Sequence, residues 1–84
     1  MNRIKIFGKV ERISDLKFDI SSKLKVYMDV EIVSVAGNNF KCLVYNKLCD
    51  KLRKIGIGEY IYALGYVKDD GSNNINLVLE DIFF

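Results

Sequence analysis

Tyrosines and lysines alternate along two segments of this 84-residue sequence. Lys25 and Tyr27 lie in the first segment, and Lys41, Tyr45 and Lys47 lie in the second. A flat phenol ring stacks on a nucleobase and a lysine ammonium binds a phosphate, so this alternation is typical of surfaces that bind a single nucleic-acid strand. Exposed tyrosines and lysines are also ordinary on soluble strands, so the pattern alone leaves both interpretations open.

The sequence is poor in groups that perform acid–base or metal chemistry. It contains no histidine, no glycine-rich phosphate loop and no carboxylates placed as an evident acid/base pair. Its two cysteines, Cys42 and Cys49, lack the paired spacing of a zinc site and lie in apolar-patterned segments. We therefore expect no enzymatic activity, no metal and no cofactor, and we expect both thiols to be reduced and buried.

Length and charge further restrict the class of protein. A chain of 84 residues, half of them hydrophobic, predicts a single folded domain over residues 1–84 whose small core favours self-association. No apolar run is long enough to span a membrane, and the N-terminus is too charged for a signal peptide, so a cytoplasmic protein is expected. Residues 1–54 contain twelve Lys/Arg and six Asp/Glu, whereas residues 55–84 contain one Lys/Arg and five Asp/Glu. This uneven distribution of charge hints at a polyanion-binding side.

Five segments have the patterning of β-strands. Their predicted bounds are Arg3–Val10, Leu24–Val35, Phe40–Tyr45, Tyr60–Lys68 and Ile75–Phe84. Period-two alternation in the second segment predicts one core face, formed by Leu24, Val26, Met28, Val30 and Ile32. Phe40 shares its parity with Cys42 and Val44 and is assigned to the core, and Gly8 marks a bulge or a close backbone contact.

A short amphipathic helix is predicted between the third and fourth strands. Leu48, Leu52 and Ile55 recur at helical spacing, and the intervening residues are mostly charged. Asn46 is the expected N-cap, and Gly56 is expected to end the helix in a left-handed conformation. A mainly all-β chain with one helix between strands 3 and 4 of five antiparallel strands has the layout of the oligonucleotide-binding (OB) barrel, whose end such a helix closes.

Six segments, in order along nearly the whole chain, resemble motifs of the bacterial single-stranded DNA-binding proteins (SSB). They are "MNRIKIFGKV", "DLKF", "SKLKVYMDVEIV", "CLVYNKLCDKL", "GEYIYALG" and "LVLEDIFF". Gly8, Lys47, Leu48 and Gly58 match the family's residues, and Tyr45 stands at the position of a stacking aromatic residue. The resemblance implies a minimal OB domain that binds and protects single-stranded DNA in replication, recombination and repair, without catalysis and with little sequence preference.

Strand alternation, taken together with the resemblance, indicates two surfaces. The residues expected to bind single-stranded DNA are Tyr45, Lys41, Lys47, Lys25, Tyr27, Arg3, Tyr66 and Lys68. The residues expected at an oligomer interface are Tyr60, Tyr62, Leu64 and Lys5. Members of the family form homotetramers, so the resemblance implies a homotetramer, with a homodimer as the alternative. It also implies a nucleoid-associated protein with replication proteins as further partners.

Several departures from the family favour a second hypothesis. The chain has no tryptophan, the hairpin "KDDGSNN" is short, and the C-terminal third of the sequence is acidic. The alternative function is an accessory or assembly protein with an OB barrel, similar to the small primosomal OB protein, in which nucleic-acid binding is weak.

Overall fold

The computed structural model describes residues 3–20, 25–69 and 75–84. These residues form six strands and a short helix: β1 (Arg3–Ile13), β2 (Lys17–Asp19), β3 (Lys25–Ser34), β4 (Asn39–Tyr45), α1 (Leu48–Leu52), β5 (Tyr60–Asp69) and β6 (Ile75–Phe83). Leu24 and the turn predicted between the last two strands lie outside the described residues. Within the described residues, no helix has the length and apolar character needed to cross a membrane.

The strands form one sheet that closes on itself. Its order is β1-β5-β6-β4-β3-β2, and an additional β1–β3 pairing joins the ends of a five-stranded barrel. The β4–β6 contact is parallel and the other pairings are antiparallel. This closed barrel, with its helix between β4 and β5, confirms the predicted OB fold.

The barrel core follows from the alternation in the sequence. Met28, Val30 and Ile32 of β3 are buried, as are Cys42 and Val44 of β4, and Phe40 packs against them as predicted. Side chains of opposite parity point outward, because successive residues of a strand face opposite sides of the sheet. The outer surface therefore carries the tyrosines and lysines.

Strand β1 bends so that it pairs with two neighbours. Gly8 faces Ser34 of β3 and Ile61 of β5, and the β1–β3 register shifts between Val10 and Arg12. A Cβ atom on Gly8 would lie 2.4 Å from the carbonyl oxygen of Val33, closer than real Cβ contacts. The predicted close backbone contact at this glycine is confirmed.

The helix differs from its prediction at both ends. Asn46 is not its N-cap: it adopts a left-handed conformation with φ 54°, and Lys47 takes the cap position without a side-chain hydrogen bond. The helix ends at Leu52, and Gly58, with φ 94°, is the left-handed glycine instead of Gly56. Asparagine tolerates this conformation, and the Asn46 amide donates to the Val26 carbonyl oxygen of β3 at 2.8 Å.

The apolar residues of this segment are nevertheless buried as expected. Leu52 and Ile55 belong to the core and Leu48 packs against it, while α1 contacts β3, β4 and β6. Cys49 is also buried, with its Sγ 3.4 Å from the carbonyl oxygen of Val44. Both cysteines are free thiols within the core.

Strand β2 lies outside all five strands predicted from the sequence. Lys17, Phe18 and Asp19 pair with Tyr27, Val26 and Lys25 of β3. The strand extends the sheet beyond the closed barrel and brings the Lys17 side chain onto the outer surface beside Tyr27.

Candidate nucleic-acid interface

A pair of tyrosines occupies the outer surface where β3 and β4 meet. Tyr27 and Tyr45 are direct partners in the β3–β4 ladder, so their side chains project from the same face. Their ring centroids lie 6.0 Å apart with an interplanar angle of 39°. Both residues are half-buried, which holds the rings in place while leaving part of each accessible.

A lysine accompanies each ring of this pair. The Nζ atom of Lys25 lies 5.7 Å from the ring centroid of Tyr45, and that of Lys17 lies 5.9 Å from the centroid of Tyr27. Lys17 also donates a hydrogen bond to Asp29, which raises the pKa of its ammonium group. The aromatic surfaces and positive charges are thus interleaved at the spacing of cation–π contacts.

The barrel adds β5 and β6 to this surface and forms an open concavity, which we call the tyrosine groove. Its volume is about 500 Å³, and it is lined by Asp19, Lys25, Tyr45, Tyr66, Lys68, Val78, Leu79 and Glu80. Strand β6 lies between β5 and β4, and its Val78 is the register partner of both Tyr66 and Leu43. Tyr66 of β5 therefore lies on the same outer surface as the tyrosines of β3 and β4. Val78 is buried, so the floor of the groove is apolar.

The groove also contains acidic groups that the sequence analysis missed. Asp19 enters through β2, and Glu80 lies at a register shift opposite Leu64 and Gly65. The Arg3 guanidinium lies 3.6 Å from the Glu80 carboxylate. The groove therefore combines cations with carboxylates, and one cation at its rim is paired.

The environment of Tyr45 keeps its phenol neutral. Partial burial raises the pKa of Tyr45, and the nearby Asp19 carboxylate raises it further. Both effects oppose ionisation of the Tyr45 phenol. An uncharged ring is the form that stacks on a base without repelling the adjacent phosphate.

The structure brings together most of the predicted DNA-binding residues. Tyr45, Lys25, Tyr66 and Lys68 line the groove, Tyr27 lies against Tyr45, and Arg3 contacts Glu80 at the rim. Lys41 is further along β4, where it lines one concavity with Arg12 and Glu31 and another with Ile4 and Phe40. Lys47 is exposed at the start of α1.

The predicted interface residues lie on another part of the barrel, which we call the aromatic face. It comprises Lys5 and Phe7 of β1, Tyr60, Tyr62 and Leu64 of β5, and Phe83 of β6. The ring centroid of Phe7 lies 4.6 Å from the ring centroid of Tyr62 and 5.9 Å from that of Tyr60. Phe7 and Phe83, which are 40% and 51% exposed, were not among the predicted interface residues.

A concavity of about 540 Å³ lies on the aromatic face between Lys5, Tyr62, Leu64 and Phe83. The Nζ atom of Lys51 from α1 lies 5.1 Å from the Phe83 ring centroid and 3.0 Å from Asp81 Oδ1. This hydrogen bond lowers the pKa of the Asp81 carboxyl. Among the described residues, no group of three or more acidic, histidine or cysteine side chains is placed to hold a metal ion.

No protein-family model and no curated protein sequence matches the chain. Solved structures do. The mitochondrial single-stranded DNA binding protein Rim1 from S. cerevisiae superimposes with a TM-score of 0.77 at 20% identity, covering 96% of this chain and 91% of that chain. The SSB domain of a Synechococcus sp. protein superimposes with a TM-score of 0.73 at 13% identity, covering 100% and 96% of the two chains.

The chain has the OB fold of single-stranded DNA-binding proteins. PriB from Ralstonia solanacearum has the same fold, with a TM-score of 0.73 at 10% identity over 98% of this chain and 95% of that chain. At these identities the SSB-type fold is shared without closely similar side chains. The function must therefore be argued from the tyrosine groove itself.

Proposed function

We propose that this chain binds single-stranded DNA without catalysis and with little sequence preference, protecting it during replication, recombination and repair. The observation that carries the proposal is the tyrosine groove, where Tyr45 and Tyr66 are interleaved with lysines and Tyr27 lies against Tyr45 at the edge of the groove. Stacking on an aromatic ring contributes about 1–3 kcal/mol per base and suits every base, because each has a π-face.

Phosphates of the bound strand contact the lysines around the groove. Lys25 and Lys68 line it, and Lys41 and Lys47 extend positive charge along β4 and into the start of α1. The described part of β4 places Lys41 four residues before Tyr45, which is roughly 13 Å along a strand. A strand of several nucleotides therefore spans both residues.

The aromatic face is proposed to mediate self-association. Phe7, Tyr60, Tyr62 and Phe83 are exposed on adjacent strands, and burying them against a second copy removes a contiguous apolar surface from water. Lys5 and Leu64 lie at the same face. A homotetramer is the proposed assembly, with a homodimer as the alternative.

The N-terminal part of β1 offers a second contact between copies. In the described residues, β3 pairs with β1 from Gly8 onward, so the outer edge of residues 3–6 faces no described strand. An exposed edge is a template for pairing with the same strand of another copy. In the proposed assembly, a cytoplasmic, nucleoid-associated oligomer presents several grooves to one DNA strand.

Direct titration tests this function. A fluorescein-labelled oligo(dT) is titrated with the protein at about 50 mM and 200 mM salt, with unlabelled duplex DNA as the competitor. We expect anisotropy to rise at low salt, affinity to fall at high salt because counterions compete for the lysines, and the duplex to compete poorly. Absence of binding at low salt would refute the function.

A second candidate is an accessory protein of a replication complex, with weak DNA binding. It is favoured by Asp19 and Glu80 in the groove, because carboxylates repel phosphates. The fold is compatible with either function, since PriB from Ralstonia solanacearum and the Synechococcus SSB domain superimpose with the same TM-score of 0.73. Capture of a helicase or polymerase together with negligible oligo(dT) binding would support this candidate over the first.

A further inference from the structure

The groove contains an acidic side chain whose position bears on DNA affinity. Glu80 lines the same concavity as Lys25, Tyr45, Tyr66 and Lys68. A carboxylate in a phosphate-binding groove competes with the phosphates for every cation nearby. Its presence therefore opposes the binding that the tyrosines and lysines favour.

The backbone fixes Glu80 in this position. Leu64 pairs with Asp81 of β6, whereas Gly65 pairs with Leu79, so Glu80 is the extra residue at a bulge. Gly65 cannot carry a side chain here, because a Cβ atom would lie 2.4 Å from the carbonyl oxygen of Val78. The two strands approach closely beside the bulge, and Glu80 is directed to the outer surface.

Arg3 is the partner of this carboxylate. It pairs with Tyr66 in the β1–β5 ladder, which places its side chain on the outer face beside a groove ring. Its guanidinium lies 3.6 Å from Glu80, and the two side chains are 62% and 33% exposed. An arriving phosphate meets an arginine that is already engaged and a carboxylate that repels it.

We propose that Glu80 restrains DNA binding by holding Arg3 and repelling phosphate, so that the groove binds single strands reversibly through its tyrosines. This inference rests on the proposed function. It makes Arg3 a phosphate ligand only when Glu80 is neutralised or displaced. Glu80 is thus a determinant of affinity and salt dependence that opposes the surrounding lysines.

A double-mutant cycle on DNA affinity tests the inference. Wild type, Glu80→Gln, Arg3→Gln and the double variant are titrated with fluorescein-labelled oligo(dT) at several salt concentrations. Because exposed pairs of this kind are weak, Glu80→Gln is expected to tighten binding about two- to fivefold at low salt. For this variant, the slope of log K against the logarithm of the salt concentration is expected to become more negative by about 0.7. That is the value for one further phosphate contact on a single strand.

Arg3→Gln distinguishes the proposed pair from a simple removal of charge. It is expected to change wild-type affinity less than about twofold and to remove most of the gain in the Glu80→Gln background, leaving only the part that comes from relief of direct repulsion. Glu59→Gln is the matched control, because Glu59 is exposed and does not line the groove. Circular dichroism verifies that every variant is folded.

Two results would overturn the inference. The first is wild-type binding that Glu80→Gln leaves unchanged, or that Glu59→Gln tightens equally. The second is a loss of DNA affinity on Arg3→Gln that is equal in wild type and in the Glu80→Gln variant. Such a loss would mean that Arg3 is available to phosphate regardless of Glu80. Failure of every variant, including wild type, to bind oligo(dT) would instead remove the proposed function on which the inference rests.

Discussion

Tyr27 and Tyr45 lie side by side across the β3–β4 ladder, with ring centroids 6.0 Å apart. Neither ring belongs to the core, and each has a lysine ammonium within 6 Å of its centroid. A base stacked on one ring is therefore adjacent to the other ring and to a cation. This geometry matches the requirements of single-strand binding without base-specific hydrogen bonds.

The lysines outside the groove should contribute through charge alone. Lys41→Ala is expected to weaken oligo(dT) binding and to reduce the salt slope by about 0.7, since one phosphate contact is lost. Lys54→Ala is the control, because Lys54 lies beyond the end of α1 and lines no part of the groove. Equal slopes for the two variants would place the DNA path away from Lys41.

Gly8 should be intolerant of any side chain. Gly8→Ala forces a Cβ atom against the carbonyl oxygen of Val33, 2.4 Å away, so we expect a loss of about 1–3 kcal/mol in the free energy of unfolding. Gly56→Ala is the matched control, because its nearest neighbour is the Glu59 side chain at 3.3 Å and its φ is not left-handed. Urea denaturation measures both, and equal stability of the two variants would contradict the packing at Gly8.

The aromatic face should set the oligomeric state. Tyr62→Glu places a charge at the centre of this face and is expected to shift the assembly to monomers, as measured by multi-angle light scattering. Ile57→Glu alters a residue that is 61% exposed but lies outside the face, so it should leave the mass unchanged. A wild-type protein that is monomeric, or a Tyr62→Glu oligomer of wild-type mass, would contradict this assignment.

The buried thiols should be unreactive in the folded protein. Burial raises the pKa of Cys42 to about 12 and also raises the pKa of Cys49. Because the thiolate is the nucleophile, labelling by Ellman's reagent at pH 8 is expected to be at least about a hundredfold slower than in urea. Rapid labelling of native protein would show that one of these cysteines is accessible.

Much of the fold followed from local pattern in the sequence. Period-two alternation identified the main strands, and the buried set of Met28, Val30 and Ile32 agrees with it. The three-residue β2 gave no such signal, because it is too short to show a period and is stabilised by pairing with β3. The N-cap prediction is wrong because Asn46 adopts a left-handed conformation and its amide donates to the Val26 carbonyl oxygen of β3, a tertiary contact that a local capping rule does not include.

The site was less predictable, because it depends on which strands become neighbours. Tyr45 and Tyr66 are 21 positions apart in the sequence and meet through β6. The sequence indicated both residues separately, and the barrel topology joined them in one groove. Glu80 gave no signal, since its direction is set by the bulge opposite Gly65, and Lys17 was missed together with β2.

The ring of Tyr45 provides the most direct test of base stacking in the tyrosine groove. Binding of fluorescein-labelled oligo(dT) at low salt is compared for wild type, Tyr45→Phe and Tyr45→Ala, all verified as folded and of equal mass. We expect Tyr45→Phe to keep wild-type affinity within a few-fold, and Tyr45→Ala to lose about 1–3 kcal/mol, a factor of five to 150. Equal affinity of the alanine variant and wild type would contradict stacking in the tyrosine groove.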